Sequence, residues 1–379
     1  MKRNILLCIV LLTCLSINVY AQNESLTGQK TVSDTEINLE INASFAGNYV
    51  GKSFEEAAFK INRVRMEFLG AISSNLSYHF RQSYNKYSNP FSLDNLTSSI
   101  ELAYLNWNIS NNFTLTAGKS FVPLGGYEYY VSALRVREFS DFNSLVACYQ
   151  AGLMGTWKIS DTDELVFAIS NNRSGSDSDL FPYGLPTGVQ PTKLPLIATV
   201  NWNAAYADGA LQFRYAAAAG SLAQGKNIYY LTAGNIYEKG PILAYFDVMY
   251  SREGIDSQGR LSALNKLNPS TAQNVDYLTL IANFDYSFHP KWNAYVKCVY
   301  ETMNVFSATN SYAAGRYCTT LNNQLCLEYF PLDNDKKLKL YAHFSNKSQT
   351  LESPALNIGA YKPNTTAVSL GLVYIIHVL

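Results

Sequence analysis

The chain has 379 residues, with 29 basic and 29 acidic side chains, so its formal net charge at pH 7 is zero and it has no electrostatic reason to bind nucleic acid. Tyrosine is abundant at 28 residues and charge is sparse at 15%, while no apolar run beyond residue 22 reaches the ~18–20 residues of a membrane helix. What remains is the composition of a large all-β structure.

In chain order, residues 1–21 read as a signal peptide, leaving the mature chain exported. Lys2 and Arg3 are its charged region, Ile5 to Leu15 its apolar core, and Val19-Tyr20-Ala21 a small-residue cleavage site. Lipidation at Cys14 is the alternative, which Thr13 before it disfavours. Cleavage leaves 27 basic against 29 acidic residues, a mature net charge of about −2. Cys148, Cys298, Cys318 and Cys326 then remain, with no C-x-x-C pair, so neither a zinc site nor a disulfide scaffold is signalled. Cys318 and Cys326 lie eight residues apart on one predicted strand, about 26 Å, which is beyond disulfide reach. Residues 22–35 form a short periplasmic segment, and 36–379 the body of the protein.

From residue 36 onward, apolar and polar residues alternate with the period of a half-buried strand. The pattern is clear in INLEINASFAG (37–47), VRMEFLGA (64–71), NLSYHFRQ (75–82), LPLIATVNWNAAYA (194–207), ALQFRYAAAA (210–219) and PILAYFDVMYS (241–251). It recurs in DYLTLIANFDYSF (276–288), WNAYVKCVY (292–300), KLKLYAHFS (337–345) and a closing TAVSLGLVYIIHVL (366–379). The connectors take turns between two kinds. Seven are tight, built on Ser73-Ser74-Asn75, Ser110-Asn111-Asn112, Asp161-Thr162-Asp163, Asp208-Gly209, Lys239-Gly240, His289-Pro290 and Asp333-Asn334-Asp335. Eight are long and polar: about 48–57, 85–97, 121–147, 172–193, 221–226, 252–274, 303–314 and 347–364. Fifteen connectors join sixteen strands. Short turns at one end and long loops at the other are the mark of an up-and-down barrel crossing an outer membrane. The expectation is therefore an all-β, 16-stranded antiparallel transmembrane barrel, with 14 or 18 strands as alternatives.

Parity assigns the faces. Ile37, Leu39, Ile41, Ala43 and Phe45 point to lipid, opposite Asn38, Glu40, Asn42 and Ser44. Trp157, Trp202, Trp292, Tyr206, Tyr215, Tyr286 and Tyr329 near strand ends supply aromatic girdles. Parity also puts Arg63, Arg65, Lys158, Arg214, Lys297, Arg316, Lys337, Lys339 and Lys347 on the lumen side. Against them stand Glu40, Glu67, Asp247, Asp285, Glu301 and Glu328. Nine cations against six anions is a small cationic excess, though charges in a water-filled barrel need no further reason.

The third long connector, 121–147, is the longest. A long third loop folded into the lumen narrows a channel. Pro123 and Gly125-Gly126 supply the sharp turn, and Phe121, Tyr127, Tyr129, Tyr130, Leu134 and Phe139 are expected to pack it against the wall. Arg135 and Arg137, in alternate positions, would point into the pore beside Glu128, Glu138 and Asp141. Fixed cations in a low-dielectric constriction select anions.

The run LTAGKSFVPLGG (115–126) resembles the G-[RK]-x-x-x-P-x-G segment of the phosphate-selective porin O and P family, and the REF at 137–139 resembles the charged end of that family's third loop. The resemblance implies trimeric 16-stranded porins of the bacterial outer membrane passing small anions. This chain departs from the family in having only Arg135 and Arg137 in the loop, where well-known members are lysine-rich with a ladder of arginines. It also ends in Leu379, where many outer-membrane barrels end in Phe.

Catalytic chemistry is weakly signalled. His289 reads as a turn residue, His79 and His343 as polar lining without Ser and Asp partners, and His377 as part of the last strand. No phosphate-cradling loop or metal-spaced cluster stands out, so no cofactor is expected. The expected partners are outer-membrane lipid, lipopolysaccharide, small anions or other small solutes, and two further copies of the chain. A porin specific for carboxylates or oligosaccharides, with Tyr127, Tyr129 and Tyr130 stacking sugar rings, is the first alternative; a barrel enzyme and an adhesin follow.

Overall fold

The computed structural model describes residues 35–86, 93–131, 135–175, 180–332 and 335–379; the expected signal peptide, most of the N-terminal segment and Leu134 lie outside them. Sixteen antiparallel strands follow one another round a closed barrel, each bonded to its neighbours in sequence and the last to the first. The first eight are β1 (Glu36–Val50), β2 (Ser53–Ser73), β3 (Leu76–Ser83), β4 (Ile100–Ser110), β5 (Phe113–Phe121), β6 (Tyr149–Lys158), β7 (Asp163–Asn171) and β8 (Leu196–Tyr206). The second eight are β9 (Leu211–Ala223), β10 (Lys226–Lys239), β11 (Ile242–Ile255), β12 (Gln273–His289), β13 (Trp292–Val305), β14 (Gly315–Tyr329), β15 (Leu338–Leu351) and β16 (Thr365–His377). β1 closes on β16 from Asn38 opposite His377 to Val50 opposite Thr365. Closure removes the sheet edges whose polar groups hydrocarbon cannot satisfy.

The two faces follow the alternation. On β13, Asn293, Tyr295, Lys297, Val299 and Glu301 are buried inward while Val296 is exposed outward. Leu153, Ile169, Leu231, Leu325 and Leu370 stand on the same exposed outer belt. Aromatic pairs mark its lower border: the rings of Trp292 and Tyr329 are 4.7 Å apart, and those of Trp202 and Tyr215 5.5 Å.

Two of the expected long loops are not loops. β1 and β2 meet across Gly51-Lys52, and β9 and β10 across Gln224-Gly225. Gly51 and Gly225 take φ of +60° and +70°, the left-handed region a two-residue turn requires. The β1–β2 hairpin is exposed on both faces through 51–57 and so reads as polar linker; at the β9–β10 turn Leu222, Ala223 and Ile228 are buried and the turn residues Gln224 and Gly225 are exposed. One expected lumen residue is also misplaced. Cys318 pairs with Met303 but Arg316 pairs with Asn304, so Tyr317 is the extra residue of a β-bulge. The bulge reverses parity above it, and Arg316 is exposed on the outer face.

Candidate channel site

The connector between β5 and β6 leaves the wall at Phe121 and returns at Tyr149. Besides local bonds, such as Val122 to Cys148, it is hydrogen-bonded to inner-face groups of β9 to β15. β13 stands eight strands away from β5 in a ring of sixteen, so a segment bonded to both runs through the inside of the barrel. The path begins with Thr232 donating to the Leu124 carbonyl and the Gly126 amide donating to the Arg214 carbonyl (3.0 Å). Gly125 and Gly126 take φ of +68° and +75°. Their passage depends on Gly234 of β10, where a Cβ would stand 2.6 Å from the Gly126 Cα. The next two amides, of Tyr127 and Glu128, donate to the Asp247 carboxylate at 2.8–2.9 Å.

Beyond this clamp the segment is tied by buried ions. Glu128, fully buried, accepts from Lys297 at 2.7 Å; that ammonium, itself 1% exposed, also donates to the Glu138 carbonyl. Burial pushes the Glu128 carboxyl up, but Lys297 and hydrogen bonds from Asn143 and Ser140 outweigh it and hold the group below its ordinary range. Asn322 donates to Glu138 at 2.7 Å. Arg137 lies 3.3 Å from Glu328, stacks over the Tyr341 ring at 4.5 Å, and its amide bonds the Tyr295 hydroxyl. Lys339 reaches the same Glu328 at 3.0 Å. A short helix, α1 (Asp141–Leu145), is N-capped by Ser140. Its Asp141 pairs with Arg260 (2.8 Å) and Lys347. Burial raises that carboxyl, and the two cations more than reverse the effect, to about 2. An apolar seam completes the attachment: Val122, Leu124, Tyr129, Phe142 and Val146 pack on inner-face residues such as Ile197, Ile228, Tyr230 and Met249.

These contacts redistribute the expected site residues. Tyr127 and Tyr129 are buried against the wall: Tyr127 packs on Tyr245 (4.7 Å), and the Tyr129 hydroxyl donates to the Cys148 carbonyl (3.2 Å). They are not presented for stacking sugars. Arg137 is 3% exposed and neutralised by Glu328, so it does not project into open space with Arg135. Arg135 does, at 57% exposure, with only long contacts to Glu238 (3.5 Å) and the Tyr127 hydroxyl (3.4 Å). Arg65 is buried between Glu40 and Glu101 (3.6 Å), and Arg63 lies 3.4 Å from Glu40. Arg214 is different. Its guanidinium faces the rings of Tyr130 (5.1 Å) and Tyr127 (5.9 Å) and makes no hydrogen bond among the described residues. Of the expected cations beside the segment, Arg135 has only the 3.5 Å ion pair to Glu238, and Arg214 has no ion pair among the described residues. Asp247, Glu128, Lys297 and Glu301, which fix the segment, escaped sequence reading as a set because they are far apart in the chain.

The sequence model of the phosphate-selective porin O and P family matches residues 35–376. This chain belongs to that family. The chain is therefore a channel-forming barrel of the bacterial outer membrane. Solved structures show the same fold at low identity. The outer membrane channel DcaP of Acinetobacter baumannii is 11% identical, with TM-score 0.64 over 90% of this chain and 97% of that one. The anion-selective porin from Comamonas acidovorans is 9% identical, with TM-score 0.57 over 90% and 99%. The trimer form of OmpT from Vibrio cholerae is 11% identical, with TM-score 0.55 over 91% and 100%. No curated protein matches.

Proposed function

We propose that this porin homologue is a passive, non-enzymatic diffusion channel for small hydrophilic solutes, constricted by residues 121–147, with a weak preference for anions. The observation that carries the reading is the attachment of that segment across the barrel interior through Asp247, Lys297 and Glu328. Fixed in this way, it narrows the path without sealing it by a plug domain.

The anion preference rests on fewer groups than the count of lumen cations suggests. Lys297 is paired with Glu128 and Arg65 with Glu40, while Arg137 and Lys339 share Glu328. Arg135 and Arg214 are the cations a passing ion meets with unsatisfied donors, and Glu238 beside Arg135 moderates even these. A phosphate-like solute would bridge N–H groups bidentately. Three copies in the membrane is the assembly we infer, in keeping with the trimer form of OmpT. We infer that residues 1–21 act as a signal peptide and that the cell is Gram-negative.

Planar-bilayer recording in a salt gradient tests the reading. Ohmic steps in groups of three with a small anion-favouring reversal potential are expected. Arg135→Gln with Arg214→Gln should bring that potential to zero or past it, while Arg137→Gln should leave its sign unchanged. A well-folded barrel without conductance would remove the channel assignment and bring forward an enzyme or adhesin.

A further inference from the structure

The outer face is mostly apolar and aromatic across the membrane band, with scattered polar residues such as Asn235 and Asn323, and one row of charged residues stands out. On four adjacent strands, β11 to β14, a single register row brings Arg252, Asp276, Asn304 and Arg316 together: Arg252 pairs with Asp276, Asp276 with Asn304, and Asn304 with Arg316. Arg252 sits between Ser251 and Glu253, which are both fully buried on the inner face, so its own side chain points out. Arg316 joins the row only because the Tyr317 bulge turns it outward. The row is internally organised: Asn304 donates to Asp276 at 2.7 Å, and Arg316 donates from Nε to Asn304 at 3.3 Å. Arg252 lies flat on the Phe306 ring at 3.9 Å. Its guanidinium has no hydrogen-bond partner among the described residues, and the Nη groups of Arg316 make no hydrogen bond within the row. Two planar donor forks are thus oriented and left open.

Their height is informative. Arg252 is ten residues above the turn end of β11, and Arg316 thirteen above that of β14. At ~3.3 Å per residue on strands tilted by roughly 40°, that is about 25–33 Å. An outer-membrane barrel's apolar band is about 25 Å tall. Tyr250, Leu278, Tyr300 and Leu321 stand below on the same outward face. The row therefore lies at the headgroup level of the external leaflet, above an aromatic and aliphatic surface suited to acyl chains.

We infer that this row is a binding site for a phosphate-bearing lipid headgroup of the outer leaflet, with Arg252 and Arg316 as its donors and the surface below holding the chains. Guanidinium forks match phosphate oxygens bidentately, the stacking of Arg252 on Phe306 reduces the side-chain entropy lost on binding, and the bound lipid would be an annular one fixed to β11–β14 rather than to the whole circumference. The channel's own chemistry is not involved, because the row is on the opposite face of the wall from Asp247 and Lys297.

Native mass spectrometry of the full barrel in detergent micelles tests it, with a diphosphorylated lipid A, its dephosphorylated counterpart and inorganic phosphate as probes. The phosphorylated lipid is expected to be retained about tenfold more than the dephosphorylated one, and Arg252→Gln with Arg316→Gln should abolish that difference. Heat-modifiable migration and single-channel conductance of the double variant should match the parent, which separates loss of lipid from loss of fold or of the pore. Equal retention by the double variant would overturn the site. Displacement of the lipid by excess inorganic phosphate would also overturn the lipid assignment, marking a small-anion site in its place.

Discussion

Replacing Lys297 by methionine asks whether one buried ion pair keeps the interior segment in place. The change leaves the length of the side chain nearly intact and removes the ammonium that Glu128 and the Glu138 carbonyl share. Glu128 would keep its Ser140 and Asn143 donors but no cation, in a site with no exposure to water. Removing one member of a buried pair costs about 3–5 kcal/mol, and each 1.4 kcal/mol is a factor of ten. The ratio of attached to detached segment should therefore fall by about one-hundred- to a few-thousand-fold. The barrel wall, whose hydrogen bonds are untouched, should keep its heat-modifiable migration. Single-channel recording should show a larger mean conductance with excursions between levels, and limited proteolysis from outside should cleave within 121–147. Joining Glu128→Gln to Lys297→Met removes both charges and should restore much of the parental trace, because a neutral pair leaves no unmatched ion. A quiet Lys297→Met channel of parental conductance and protease resistance would refute the idea that this pair governs attachment.

Gly234→Ala places a methyl 2.6 Å from the Gly126 backbone, which no rotamer can relieve; an overpacking cost of about 1–3 kcal/mol should again raise conductance without unfolding the wall, and an unchanged channel would contradict the close approach. Arg135→Gln should shift the reversal potential toward cations more than Arg137→Gln does, since Arg137 is already neutralised by Glu328. Conversely, Arg137→Gln should lower thermal stability more than Arg135→Gln, by about 1–3 kcal/mol, because it leaves Glu328 with less compensation. Asp141 gives a pH dependence whose sign is fixed: its carboxyl is depressed from 3.8 to about 2, so its contribution to attachment is complete above pH ~4 and is lost as pH falls through about 2. Conductance noise should rise between those values, and Asp141→Asn should show the noisier state already at neutral pH.

Much of the wall was legible because alternation is enforced by lipid on one side and water on the other. Leu325 and Leu327 out, Gln324 and Glu328 in, needs no tertiary knowledge. The reading failed where that enforcement stops. Glu55 and Glu56 belong to a strand above the membrane, where neither face must be apolar, and they were indistinguishable from a loop. Arg316 was assigned inward because parity counting assumes no bulge, and Tyr317 carries no glycine or proline to announce one. The interior segment was legible in position, from Pro123, Gly125 and Gly126, but not in chemistry. Arg137 and Glu328 are 191 residues apart in sequence, and only the closed ring brings them together. One signal was nevertheless present: Ile197, Ala216, Ala218, Ile228 and Met249 have lumen parity and are apolar. A water-filled barrel has no use for such a patch unless something covers it, and the segment 121–147 does so.

Every strand but one pair is joined to its neighbour in sequence, and the exception is β1 with β16, more than 300 residues apart. Fifteen hairpins can therefore form by local loop closures, whereas the seam must wait for the two ends of the chain to meet. The interior segment adds an ordering constraint to that wait. It crosses from β5 to contacts on β13, β14 and β15, so those contacts can form only once the sheet has curled far enough to bring these strands opposite β5. The ion pairs at Lys297 and Glu328 then join parts of the chain that meet only as the ring curls, tying the β5–β6 connector to strands on its far side.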